Sequence, residues 1–71
     1  MATISLTDII FATVRFRGRD VLRLKLEGVS SYSEIVARVL KFVKGIRGIM
    51  TIDLRNSSQG WTSRRQLMVA A

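Results

Sequence analysis

Ser31-Tyr32-Ser33-Glu34-Ile35-Val36-Ala37-Arg38-Val39-Leu40-Lys41-Phe42-Val43-Lys44 is the one long segment of this chain whose apolar residues keep a helical period. Tyr32, Ile35, Val36, Val39, Leu40 and Val43 recur at steps of three and four, which makes a single apolar stripe about 100° wide. Ser31 and Glu34 have capping-box spacing, with the Ser31 side chain covering the Glu34 amide and Glu34 reaching back. Gly45 suits the position just past a helix end. A helix is therefore expected over Tyr32 to Lys44, roughly 20 Å long at 1.5 Å per residue. Phe42 sits beside its apolar stripe, and Arg38, Lys41 and Lys44 lie off it.

On either side of this segment the period drops to two. Toward the N-terminus Ile10, Ala12, Val14 and Phe16 alternate with Thr13, Arg15 and Arg17, and Leu22, Leu24 and Leu26 alternate with Arg23, Lys25 and Glu27. Such alternation is the mark of half-buried strands. A helical reading of Thr7 to Arg17 groups only Ile9, Ala12 and Phe16, a shorter match. Ile4 and Leu6 extend the first strand's parity until Asp8 breaks it, so a bend or bulge is expected there. Pairing Phe16 with Leu22 and Val14 with Leu24 keeps both faces pure and leaves a loop of three to five residues around Gly18.

Toward the C-terminus Met50, Ile52 and Leu54 oppose Thr51, Asp53 and Arg55, and Asn56-Ser57-Ser58-Gln59-Gly60 is turn chemistry. A fourth strand is expected from Trp61 to Ala70. Its pattern is poor, because Ser63 and Arg65 share the parity of Trp61, Leu67 and Val69. That mismatch points to an edge strand, a bulge or a second covered surface. The order is ββαββ: two hairpins forming an antiparallel sheet with one helix packed on a face, an α+β fold.

The 71 residues are expected to form a single small domain, residues 1–71, with seven each of Ile, Val and Leu as core material. Cys, His and Pro are absent. Disulfide frameworks, thiolate or imidazole metal sites, and triads built on His or a cysteine nucleophile are thereby excluded. The five acids, Asp8, Asp20, Glu27, Glu34 and Asp53, each have a structural position at hand, and no carboxylate pair is implied. No catalytic residue, metal site or cofactor is expected. Met1 to Ile10 contain no Lys or Arg to form a signal-peptide n-region, and no apolar run approaches the roughly 20 residues that span a bilayer. A cytoplasmic protein that does not enter membranes is the expectation.

A net charge of +7 is the main functional clue, carried by nine Arg and three Lys. Arg suits planar, bidentate contacts with phosphate. Arg15, Arg17, Arg23 and Lys25 are expected on the outer face of the first hairpin, with Arg19 at its tip, an arrangement fit for nucleic-acid phosphates. The competing reading is a solvated sheet face whose cations discourage edge pairing. Arg55, Arg64 and Arg65 form a second group on the other hairpin, and Lys41 and Lys44 suit the negative end of the helix dipole. Gly45-Ile46-Arg47-Gly48 matches the Gly-x-x-Gly clamp of KH domains in spacing only. Ile9 and Phe11 point away from the core parity and, with Trp61, are the expected interface residues.

In element order alone, strand-strand-helix-strand-strand, the chain resembles the swapped-hairpin transition regulators, which are dimeric DNA-binding proteins. Their Pro-containing strand-to-helix junction is absent, and no residue is carried over. The expected function is that of a small basic, non-enzymatic homo-oligomer that binds DNA or RNA through Arg-rich strand surfaces. The alternative is a protein-protein interaction or structural module with no nucleic-acid role. A His-free ribonuclease using Arg, Lys or Tyr32 has less in its favour, since spacing singles out no general acid or base.

Overall fold

A computed structural model describes residues 3–43 and 45–69. The elements are β1 (Ile10–Phe16), β2 (Arg19–Leu26), α1 (Tyr32–Leu40), β3 (Gly48–Asn56) and β4 (Trp61–Val69). All four strands join one antiparallel sheet in the order β2-β1-β3-β4. The two hairpins thus meet through β1 and β3, and α1 carries the chain from one edge back to the centre. This is the ββαββ α+β arrangement expected from the periodicity.

Alternation sorts the strands into two faces. Ile10, Ala12 and Val14 of β1 and Met50, Ile52 and Leu54 of β3 are buried together with Leu26, Val29, Ile35, Val39 and Val43. Ile35 and Val39, four apart, are the helical residues fully enclosed in this core. Ser31 caps the helix by accepting a hydrogen bond from the Glu34 amide at 3.3 Å. Glu34 reaches back one residue further than in a simple capping box, accepting from the Ser30 amide at 2.8 Å.

The helix is shorter than the periodicity predicts. It ends at Leu40 with Lys41 as its C-cap, and the Phe42 amide donates to the Val39 carbonyl at 3.0 Å, a tightened last turn. Leaving the helix lets Val43 turn into the core, while Leu40 stays 40% exposed and Phe42 faces solvent. Leu40 is therefore not a core residue. Lys44, the expected last helical residue, lies outside the described residues.

The register of the first hairpin also differs from expectation. Val14 pairs with Leu22 and Ala12 with Leu24, while Phe16 pairs with Arg19 and Arg15 with Asp20. The chain reverses through the two residues Arg17 and Gly18, both at positive φ (53° and 78°), the signature of a tight type I′ turn. A two-residue turn alone would set apolar residues opposite charged ones. The register shift beside Val14 and Arg15 leaves Val21 as an extra residue on β2, and this bulge restores the faces. Arg19 is consequently a strand residue opposite Phe16 and not the hairpin tip.

β4 lies at the sheet edge and pairs regularly with β3 from Gly48↔Val69 to Asn56↔Trp61. Arg65 shares the core side with Trp61 and Leu67, but at the edge its guanidinium lies over the Tyr32 ring, 4.5 Å from the centroid. The expected break at Asp8 is a turn, in which the Asp8 amide donates to the Ser5 carbonyl at 2.9 Å. Gly48 opens β3 at φ 120°, and an added Cβ would stand 3.4 Å from the Phe16 ring. The Gly45-to-Gly48 spacing is thus accounted for by backbone geometry and packing.

Candidate nucleic-acid interface

With the helix on one side, the other side of the sheet is open, and the side chains that alternate away from the core define it. Cross-strand pairing sets them in rows. Thr62, Arg55, Phe11 and Lys25 form one row, Arg64, Asp53, Thr13 and Arg23 the next, and Gln66, Thr51, Arg15 and Asp20 the third. Five cations from all four strands, Arg15, Arg23, Lys25, Arg55 and Arg64, share this face with two acids, Asp20 and Asp53. An open groove of about 850 Å³ runs along it, with Phe11, Arg23, Lys25, Asp53, Arg55 and Arg64 in its walls.

The acids organise the cations without covering them. Asp20 bridges Arg15 (Nε to Oδ1, 3.1 Å) and Arg23 (Nη2 to Oδ2, 2.9 Å), and Asp53 accepts from Arg64 Nε at 2.7 Å. The Arg64 guanidinium is held above its already high pKa, first by that hydrogen bond and then by the Asp53 charge. The Arg23 and Arg64 side chains nonetheless remain 77% and 69% exposed, so their outer N–H groups still face solvent. Solvated pairs of this kind add little to stability. Lys25 lies 3.5 Å from Glu27 just beyond the strand end. At the centre of the face the Arg55 guanidinium lies over the Phe11 ring, 4.8 Å from its centroid.

The expected binding residues divide. Arg15, Arg23 and Lys25 come together on the open face; Arg17 occupies the turn, with its guanidinium 5.2 Å from the Phe16 centroid, and lines a hollow at that end of the face with Arg15 and Arg64. Arg19 pairs with Phe16, on the helix side of the sheet by alternation. Of the expected interface residues, Ile9 and Phe11 are half-buried. Ile9 is pinned by the β3–β4 turn, its amide donating to Ser58 Oγ at 3.1 Å and its carbonyl accepting from the Ser57 amide at 3.1 Å. Trp61 belongs to the opposite side. It packs against the core, and its Nε1 donates to the Thr3 carbonyl at 2.9 Å.

Arg55 and Arg64 fall outside the site expected from the first hairpin alone. Their parity with Thr51 and Asp53 was readable, but only the β1–β3 pairing brings them beside Arg15 and Arg23. Alternation along β4 separates Arg64 from its neighbour Arg65. Ile49 and Met68 were missed too: they face each other across β3 and β4 on the open side and are 54% and 67% exposed. Tyr32 sits under Arg65 on the helix side, remote from the groove. Among the described residues no three acids converge as a metal site, and no helix is long and apolar enough to cross a membrane. Compared with protein-family models, curated proteins and solved structures, the chain matches none.

Proposed function

We propose that this chain is a small basic, non-enzymatic cytoplasmic protein that binds nucleic acid through the open face of its sheet. One observation carries the reading: a face that no part of the described fold covers gathers five cations from four strands around a guanidinium-capped aromatic ring. Solvated ion pairs are ordinary on a sheet face needed only for solubility, but an Arg lying over an aromatic ring amid the cations is not required there. Arg38 and Lys41, by contrast, are accounted for by the last turn and cap of α1.

Fluorescence anisotropy of a labelled oligonucleotide at 50 mM salt tests the proposal. If three to four phosphates are neutralised, log K should fall with log salt at a slope of about −2 to −4. Replacing Arg23 and Lys25 together by Gln should weaken binding and flatten that slope by about 1 to 2. Absence of binding by the wild type at 50 mM salt would retire the nucleic-acid reading.

A second reading has its own support. Ile49 and Met68 form an exposed apolar pair at one end of the same face, and such pairs suit protein contacts. We assign to this end the self-association expected of so short a chain, with a second copy as the partner.

A further inference from the structure

We infer that the ligand of the open face is a single-stranded polynucleotide, one of whose unpaired bases stacks on the Phe11–Arg55 pair. The inference rests on the proposed nucleic-acid function and narrows it to one form of ligand.

The face is wide. Strands in a sheet are about 4.8 Å apart, so the cations of β2 and β4 are separated by roughly 14 Å of backbone before side chains are added. A major groove about 12 Å wide admits a helix or a two-stranded ribbon, not a four-stranded face. A duplex can lay both its phosphate ridges on a sheet face this wide only by opening its minor groove, at a cost in bending and unstacking. The charges span that whole width, since Arg23 and Lys25 stand on one edge strand, Arg64 on the other, and Arg15 and Arg55 between them. A flexible single strand crossing the sheet can reach both edges.

An aromatic ring lies between the charges. Phe11 is half-buried at the groove, and Arg55 is exposed with its guanidinium at stacking distance over the ring. Unpaired bases stack on aromatic rings and on guanidinium planes, whereas duplex bases already cover one another's faces. Arg55 also lacks a carboxylate partner among the described ion pairs, unlike Arg15, Arg23 and Arg64. The Phe11 ring is the partner its guanidinium does have, 4.8 Å from the centroid. Thr62 opposite Arg55 and Thr13 two residues from Phe11 on the same face offer hydroxyls to the edge of a stacked base. Phosphates on either side of that base then fall to Arg23 and Lys25 in one direction and to Arg64 in the other.

The test compares wild type, Arg55→Lys and Phe11→Leu by anisotropy at 50 mM salt. The probes are a labelled 12-nucleotide single strand as RNA and as DNA, the matching duplex, and an abasic strand of the same length. Arg55→Lys keeps the charge and removes the plane. Both variants should bind single strands about 5- to 100-fold more weakly, the range for loss of one stacked base. Their salt slope, duplex affinity and abasic affinity should match the wild type's. Wild type should prefer the single strand to both the duplex and the abasic strand, and the RNA and DNA arms show whether the sugar matters. Intrinsic fluorescence of Trp61, on the other side of the sheet, checks that each variant is folded. Equal or tighter wild-type binding to duplex, or single-strand affinity unchanged in Arg55→Lys, would overturn the inference while leaving the nucleic-acid function intact. Failure to bind any probe would instead overturn that function.

Discussion

Asp8, Asn56 and Gln59 show how individual polar residues fix this fold where the apolar pattern falls silent. Asn56 is fully buried; its Oδ1 accepts from the Ser58 and Gln59 amides at 3.0 and 2.9 Å, and its Nδ2 donates to Asp8 Oδ2 at 2.8 Å. Removing it in Asn56→Ala leaves two turn amides without their acceptor and should cost about 1–3 kcal/mol, measured by urea denaturation. The Asp8 carboxylate also accepts from the Ser5 amide and from Gln59 Nε2. Its pKa is held below the ordinary 3.8, by the Asn56 hydrogen bond first, then by that of Ser5, with burial opposing and Gln59 assisting. A depressed carboxylate stabilises the fold above its unfolded pKa and loses that contribution as pH falls through the folded value. The melting temperature of wild type should therefore drop between about pH 5 and pH 2 more steeply than that of Asp8→Asn. Equal slopes would mean that the Asp8 charge is not linked to folding. The sequence showed Asp8 as a break in parity, but its side-chain partners lie 48 and 51 positions away, beyond the reach of any local pattern.

Periodicity identified β1, β2, β3 and the helix, the turn residues after Leu54 implied β4, and periodicity failed where an element is ended or offset by something other than its apolar spacing. Leu40 continues the helical stripe in sequence, yet the chain leaves the helix there, so the stripe overstates the core. Ile35→Ala should cost about 2–5 kcal/mol, as expected of a fully buried Ile, and Leu40→Ala well under half of that. Similar losses for the two would put Leu40 back in the core. The first hairpin was misregistered because a bulge at Val21 restores facial purity by a route that pairing rules alone do not predict. Arg17 sits in its turn at φ 53°, where Asn is favoured over Arg. Arg17→Asn should relieve part of about 1 kcal/mol of backbone strain and raise the thermal midpoint. A lower midpoint would mean that the Arg17 contact with Phe16 outweighs the strain.

The assembled sheet has properties that neither hairpin has alone. Each hairpin carries a modest set of cations, and the open basic face arises only when β1 pairs with β3. Single-sequence reading supplies no long-range pairing, which is why Arg15, Arg23 and Lys25 were legible as site residues and Arg55 and Arg64 were not. The same assembly leaves Ile49 and Met68 exposed together, so sedimentation at micromolar concentration should show a species heavier than 8.0 kDa that Met68→Lys shifts toward monomer. A wild-type monomer would remove the self-association proposal without touching the basic face. The proposal that this face takes nucleic acid is tested most directly by following the arginine side-chain Nε–H resonances of isotope-labelled protein while an oligonucleotide is added at low salt. The signals of Arg15, Arg23, Arg55 and Arg64 should move, and those of Arg38 and Arg65 on the helix side should stay in place. Movement centred on Arg38 and Arg65, or none at all, would contradict the assignment of the open sheet face as the binding surface.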